Sequence, residues 1–347
     1  MSGTTTVDHA VLRHHVAGLF AANGCDQAVA DTVSGVLVEG DLLGHHTHGV
    51  ALATGYLEDL AAGRAFGDAG RLTQVRDAGA VALYDCGHVL GPYAVETALR
   101  WAGRAARSHG VGLAVLAKSH HIGCLAAYLE AVTSQGLIAM IMSSDPTVAT
   151  VAPHGGRTAV YSPNPMAVGI PAPVPILVDI STSTVTNSAL AQAHATNTSL
   201  QHAAIIDAAG RPTRAPSDFF ADPPGAILPL GGIEFGHKGF GLGLMVEALT
   251  SGLAGYGRKQ ARGYKAASVF ILLVDPDHLG GSEDLTAEMQ HLIDSCTESK
   301  PMRPDQPVRL PGHRGLQLKK HHLDSGIPLP NNVVEQIALD TTALTHR

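Results

Sequence analysis

The chain has 347 residues, of which 45% are hydrophobic and 15% charged, and its formal net charge is −7. That length can bury a large core as one big domain or two to three smaller ones. The composition excludes a disordered chain, and the negative charge gives no general attraction to phosphate backbones, so no nucleic-acid partner is expected. Cys25, Cys86, Cys124 and Cys296 show no paired spacing and read as reduced thiols. Residues 1–8 lack the basic and apolar regions of a signal peptide, and no apolar run reaches the ~18 residues of a membrane span. A cytoplasmic protein with no membrane contact is the expectation.

In chain order, Val11, His15 and Leu19, then Val29, Val33, Val36 and Val38, recur near helical spacing. They predict two helices within 7–43, broken at Gly24, with Thr5 or Thr6 as the first cap. A helix is expected over 95–108, a strand over 111–116, a helix over 125–134 and another strand over 137–142. Strand signals return at 167–170 and 176–180. A strongly apolar helix over 239–253 and a strand over 269–274 follow. A helix over 285–295, a Pro-rich connector over 301–311 and a last helix over 332–345 close the pattern. The alternation predicts an α/β or mixed α+β fold. Residues 1–75, joined to the C-terminal helices of 300–347, form one expected unit. Residues 76–300 form the other, a central sheet region.

The Gly-x-Gly-x-x-Gly turn of a doubly wound dinucleotide domain is missing; Gly110–Gly112 and Gly239–Gly243 fail at the third glycine. No P-loop, Gly-x-Ser-x-Gly elbow or His-Glu-x-x-His motif occurs either, and no metal centre is expected.

Four polar clusters carry the chemistry. Residues 44–49 read Gly-His-His-Thr-His-Gly at the end of the second predicted helix. An imidazole there suits proton exchange with an alcohol or ketone near neutrality, and Thr47 suits orientation of a carbonyl. Taken alone, the same stretch also reads as histidines on free carbonyls at a helix end. Residues 119–123, Ser-His-His-Ile-Gly, lie between a strand end and a helix start, where α/β sheets bind ligands; a capped turn is the plainer alternative. Residues 162–165 and 179–183 hold Asn164, Asp179, Ile180 and Ser181, suited to ribose or amide contacts, or simply to turns. Residues 236–239 place Lys238 and Gly239 before an apolar helix, as a phosphate site or as a Gly-rich turn.

The order of these motifs resembles one family over nearly the whole chain, the malate/L-lactate dehydrogenase family. Its Asp-x-x-Gly-x-x-Ser-His-Gly is matched by 41–49, with Thr47 for serine, and its Ser-x-His-x-Gly by 119–123. Further matches are Asn-Pro at 164–165, the Asp-x-Ala-Thr-Ser segment at 179–183, 207–213, 228–241 and Val-x-x-Pro-Gly at 308–312. The wording is most similar to the hydroxycarboxylate dehydrogenase B group. The resemblance implies a non-Rossmann fold binding NAD or NADP, with the cofactor and substrate held by the 76–300 region, and a homodimer with its active site near the subunit interface. It implies hydride transfer to or from a small 2-hydroxy or 2-keto acid. His48 and His121 match the family's acid–base histidines, with Thr47 beside them. His120, Ser144, Asn164, Asp179, Ile180, Ser181, Lys238, Gly239 and His313 fall on matched positions taken as cofactor contacts.

The range of reactions in the family and the departures from its pattern leave one alternative open each. The carboxylate-gripping Arg of many members is Leu52, its threonine before Asn-Pro is Pro163, its Lys after the Asp-x-Ala-Thr-Ser segment is Ala189, and its tail Glu is His313. Residues 233–236 look inserted. One alternative is a reductase of cyclic imines or diketo acids, and the other is a catalytically impaired member acting as a binding protein.

Overall fold

A computed structural model describes residues 3–261 and 266–339. Thr4–Val7 form a strand, β1, followed by helices α1 (His9–Ala22) and α2 (Gln27–Leu42). Asp8, rather than Thr5 or Thr6, caps α1, its Oδ1 accepting from the N–H groups of Ala10 and Val11. The threonines are instead strand residues paired with 327–330. Two short 3-10 turns then lead into α3 (Ala53–Ala61).

The hairpin of β2 (Thr73–Asp77) and β3 (Val81–Asp85) gives little sequence signal, because every residue of β2 is exposed and no alternation results. Helix α4 (Gly91–His109) has Pro92 in its first turn and stops at Gly110, whose φ of 81° is left-handed. It leads to β4 (Val111–Ser119), which lies parallel to β3. The helix expected over 125–134 splits into a 3-10 turn, Leu125–Tyr128, and a short α5 (Leu129–Thr133).

Strands β5 (Ile138–Ser144), β6 (Met166–Ile170) and β7 (Ile176–Ile180) run antiparallel to their neighbours. Helix α6 (Asn187–Ala195) precedes a patch of two-residue strands, β8 (Ile205–Ile206), β9 (Pro212–Thr213) and β10 (Ala226–Ile227). Helix α7 spans Gly232–Glu247 and ends in a π-helical turn, Ala248–Gly252. It therefore starts at Gly232 rather than 239, and the apparent insertion is its first turn. Ile233 and Phe235 are exposed, so they carry no core-facing periodicity.

Strand β11 (Ala267–Val274) is continuously apolar from Val269 onward because it sits in the middle of the sheet. Then come α8 (Ser282–Thr297), α9 (His313–Ser325), β12 (Ile327–Pro330) and α10 (Asn331–Gln336). Sequence reasoning did not identify α9, whose polar surface hides its period. The helix expected over 332–345 ends instead at Gln336, and Ala338, with a left-handed φ of 49°, lies beyond its end; residues 340–345 lie outside the described ones.

Seven strands form the main sheet in the order β2-β3-β4-β11-β5-β6-β7, and only β3–β4 is parallel. A doubly wound domain would be parallel, so this is a mixed α/β fold without the Rossmann arrangement. One face packs Leu116 and Ile141 against Phe20, Leu37 and Leu90, and the other packs Val115, Met142 and Phe270 against Val246 of α7. The chain's two ends meet: β1 pairs antiparallel with β12. His322 Nδ1 of α9 lies 3.0 Å from the Leu42 carbonyl, and Lys319 Nζ holds Glu39 of α2 at 2.6 Å and Glu130 of α5 at 2.7 Å. Among the described residues no helix is long and apolar enough to cross a membrane.

Candidate active site

The loop after α2 is folded by Asp41, which is buried in the last turn of that helix. Its Oδ2 accepts from Val50 N–H at 2.7 Å and its Oδ1 lies 2.9 Å from His46 Nδ1. A Cβ on Gly49 would fall 2.3 Å from that carboxylate, so only glycine lets the loop close over it. The bond to Asp41 raises the His46 pKa. His46 thus serves the loop, and His45, Thr47 and His48 are presented at its edge. Thr47 Oγ1 lies 3.0 Å from His48 Nδ1.

The second loop leaves β4 and rests on the start of α4. A Cβ on Gly91 would come within 2.4 Å of the His120 carbonyl and 2.5 Å of the His121 carbonyl. His120 is 1% exposed and points inward, its Nε2 2.9 Å from Asp59 Oδ2, while Asp59 Oδ1 takes Arg64 Nε at 2.6 Å. His121 faces the other way, and its ring stacks on His48 with centroids 5.8 Å apart. Its Nδ1 accepts from Gly123 N–H at 3.2 Å and lies 2.7 Å from Tyr56 Oη, which also donates to the His121 carbonyl at 3.0 Å. Burial pushes the Tyr56 hydroxyl pKa up, so it remains a phenol.

Asp179, near the end of β7, completes the group. Its Oδ2 accepts from Ala126 N–H at 2.9 Å and from the Cys124 thiol at 3.7 Å. Burial raises its pKa, against the pull of its hydrogen bond and of His45 and His48. Burial also lowers the His48 pKa, partly offset by Asp179. His48 is therefore a neutral base at pH 7 with a carboxyl group nearby to favour its cation. Beside this group a cleft of about 380 Å³ runs between the first loop, β7 and α9, lined by His45, Asp179, Gly312 and Arg314 among others.

The remaining expected residues are spread over the fold. Ser144 Oγ is buried 2.7 Å from Thr250 Oγ1 and 2.9 Å from Ser251 Oγ. Asn164, fully buried with a φ of 45°, donates to the Gly243 carbonyl at 3.0 Å and to Glu247 at 3.1 Å. Both are bonded to α7 or its π turn. Ser181 Oγ donates to the Ser183 carbonyl at 3.0 Å, and Ile180 is exposed. Lys238 lies in the second turn of α7, beside the Phe235 ring, which corrects its expected place at a helix N-terminus. Gly239 packs its backbone on that of Leu230. His313 opens α9, and its Nε2 is buried without a hydrogen-bond partner.

Sequence reasoning missed Tyr56, Asp59 and Arg314. Tyr56 and Asp59 share one face of α3, and nothing in their spacing separates them from core residues. Arg314 follows the matched Pro-Gly directly, and that adjacency was the available signal. As a donor set the cleft fits a nicotinamide dinucleotide: the Arg314 guanidinium for phosphate and the Asp179 carboxyl group for hydroxyls or amide.

Comparison with known proteins identifies the family and the fold. A family model described as malate/L-lactate dehydrogenase matches residues 7–338. An L-lactate dehydrogenase of Cupriavidus necator is 30% identical over 302 residues, covering 85% of each chain. Hydroxycarboxylate dehydrogenase B of Escherichia coli is 26% identical over 333 residues, covering 93% of this chain and 90% of its own. The crystal structure of a Δ1-piperideine-2-carboxylate reductase from Pseudomonas syringae superposes with a TM-score of 0.84 at 27% identity, over 96% of this chain and 99% of that one.

Proposed function

Because the chain belongs to the malate/L-lactate dehydrogenase family and is an oxidoreductase of it, we propose that it interconverts a small 2-hydroxy acid and its 2-keto acid with NAD or NADP. In this reading His48 transfers the proton and His121 orients the reacting oxygen. The observation that carries the division of labour is the different partner of each Nδ1.

A backbone N–H only donates, so the Gly123 contact makes His121 Nδ1 an acceptor and puts the neutral ring's proton on Nε2. Such a ring donates a hydrogen bond to a carbonyl oxygen but cannot readily give the proton away, since an imidazolate would remain. His48 is free of that restriction. A hydroxyl both donates and accepts, so Thr47 Oγ1 suits Nδ1 of His48 in its neutral and its protonated form. His48 Nε2 can then take the alcohol's proton in oxidation and return it in reduction, with Asp179 favouring the intermediate cation. When bound, the nicotinamide supplies or accepts the hydride. Asp179 and Arg314 are the residues of the cleft that would hold the dinucleotide.

The same proton chemistry serves a C=N bond, and the likeness to the piperideine-carboxylate reductase supports testing it. Absorbance loss with NADH and NADPH over a panel of 2-keto acids and cyclic imines decides the substrate class and the cofactor. If neither cofactor is oxidised and neither binds by nicotinamide fluorescence, the reading fails and the impaired-member alternative, suggested by Pro163, Ala189 and His313, takes its place.

The quaternary reading is a homodimer, supported by Ile233 and Leu244, three helical turns apart on one side of α7 and each at least half exposed. The paired chain ends and the α9 contacts support residues 1–75 with 300–347 as one unit and 76–300 as the other. Four free cysteines support a cytoplasmic location.

A further inference from the structure

We infer that His45, Cys124 and Asp179 form a binding site for a borderline-soft divalent cation, with Zn²⁺ as the best fit, and that the ion reversibly closes the cleft. The site stands on these three side chains. Only its effect on turnover rests on the function proposed above.

One ligand atom from each residue, an imidazole nitrogen, a sulfur and a carboxylate oxygen, lies within 4.8 Å of the other two. Zinc bond lengths and a tetrahedral angle imply ligand-to-ligand separations of about 3.4–3.6 Å. Cys124 Sγ and Asp179 Oδ2, at 3.7 Å, already have nearly that spacing. The remaining closure, no more than about 1.4 Å from the outer 4.8 Å bound, falls to His45, an exposed residue of a loop. The other two ligands are fixed: Cys124 is buried and Asp179 is anchored by Ala126 N–H.

The donor set is selective. Mixed nitrogen, sulfur and oxygen ligands suit zinc and exclude magnesium and calcium, which take oxygen. Three protein ligands leave the fourth tetrahedral position to water, as in an open zinc site. Arg314 lines the same cleft and opposes any cation, but a thiolate and a carboxylate together carry twice its charge. On binding, the thiol proton leaves to solvent and sulfur bonds to the ion, with no change in oxidation state. The ion then occupies two residues that line the cleft and neutralises the carboxylate that faces His48.

Cobalt(II) reports the site without any assay of activity. Full-length protein, purified without a tag and reduced, is titrated with Co²⁺ and then with Zn²⁺. The expected result is a thiolate-to-cobalt charge-transfer band that saturates at one equivalent and is erased by Zn²⁺. Cys124→Ala should lose the band and bind Zn²⁺ at least about tenfold more weakly in chelator competition, with an unchanged far-ultraviolet circular dichroism spectrum. Cys296→Ser should keep both. Absence of the band in the wild type, or its survival in Cys124→Ala, overturns the inference. Inhibition by Zn²⁺, scored against each variant's own rate, should be reversed by chelator in the wild type and weakened in Cys124→Ala. Binding without inhibition would overturn the closure of the cleft and leave the ion site standing.

Discussion

Replacing each facing histidine by glutamine separates their roles. Glutamine places an amide near the position of Nε2 and can donate a hydrogen bond, but it cannot cycle a proton. At His48 the substitution removes general acid–base catalysis, with an expected loss of about 10²–10⁴ in kcat, or ~2.7–5.4 kcal/mol of barrier. At His121 the amide replaces one donor by another, and the loss should stay within about tenfold, ~1.4 kcal/mol. His121→Ala, with no donor at all, should cost about 10²–10³. Both rings are only partly buried, so neither change should unfold the chain. The assay is steady-state oxidation of NADH or NADPH with the best keto acid of the panel, after a thermal melt of each variant. Full activity in His48→Gln would refute the reasoning, and so would a His121→Gln variant as impaired as His48→Gln.

The pH dependence follows from the lowered His48 pKa. Keto-acid reduction needs the protonated ring, so kcat/KM should be greatest below that pKa and fall as pH rises through it. Alcohol oxidation needs the neutral ring and should rise across the same range. Profiles between about pH 5 and 8 check the sign, and His48→Gln should flatten both. Asp59→Ala should lower stability by about 2–3 kcal/mol in urea unfolding, because buried His120 and Arg64 lose a charged acceptor. A midpoint shift too small to resolve would contradict that. Leu244→Asp, on the side of α7 shared with Ile233, should convert the proposed dimer to monomer in sedimentation velocity; an unchanged species would place the interface elsewhere or nowhere.

Much of this molecule is readable from residue order where burial imposes a period. Helices α1, α2 and α4 show one, because each hides a face, whereas strands β4, β5 and β11 are legible as apolar runs because both of their faces are covered. The exposed β2 and the polar α9 show none. The two histidine loops were visible as clusters, yet the opposite orientations of His120 and His121 were not. Adjacent residues differ there because Asp59 holds one ring and Tyr56 the other, and both come from α3, more than sixty positions away. Lys238 was misplaced for a related reason: glycines at 231 and 232 permit a left-handed turn that starts α7 early, and the apolar residues that follow face outward.

The grip of α9 on the end of α2 has a consequence for biosynthesis. The residues at 41–49 and 119–123 emerge from the ribosome long before residues 313–325, whose His322 and Lys319 fasten Leu42 and Glu39. A nascent chain that already contains both imidazoles still lacks the brace behind the first of them. Competence should therefore arrive late and all at once, when the final segments dock, and a stop codon near position 300 should yield a product with every reacting group present and no turnover.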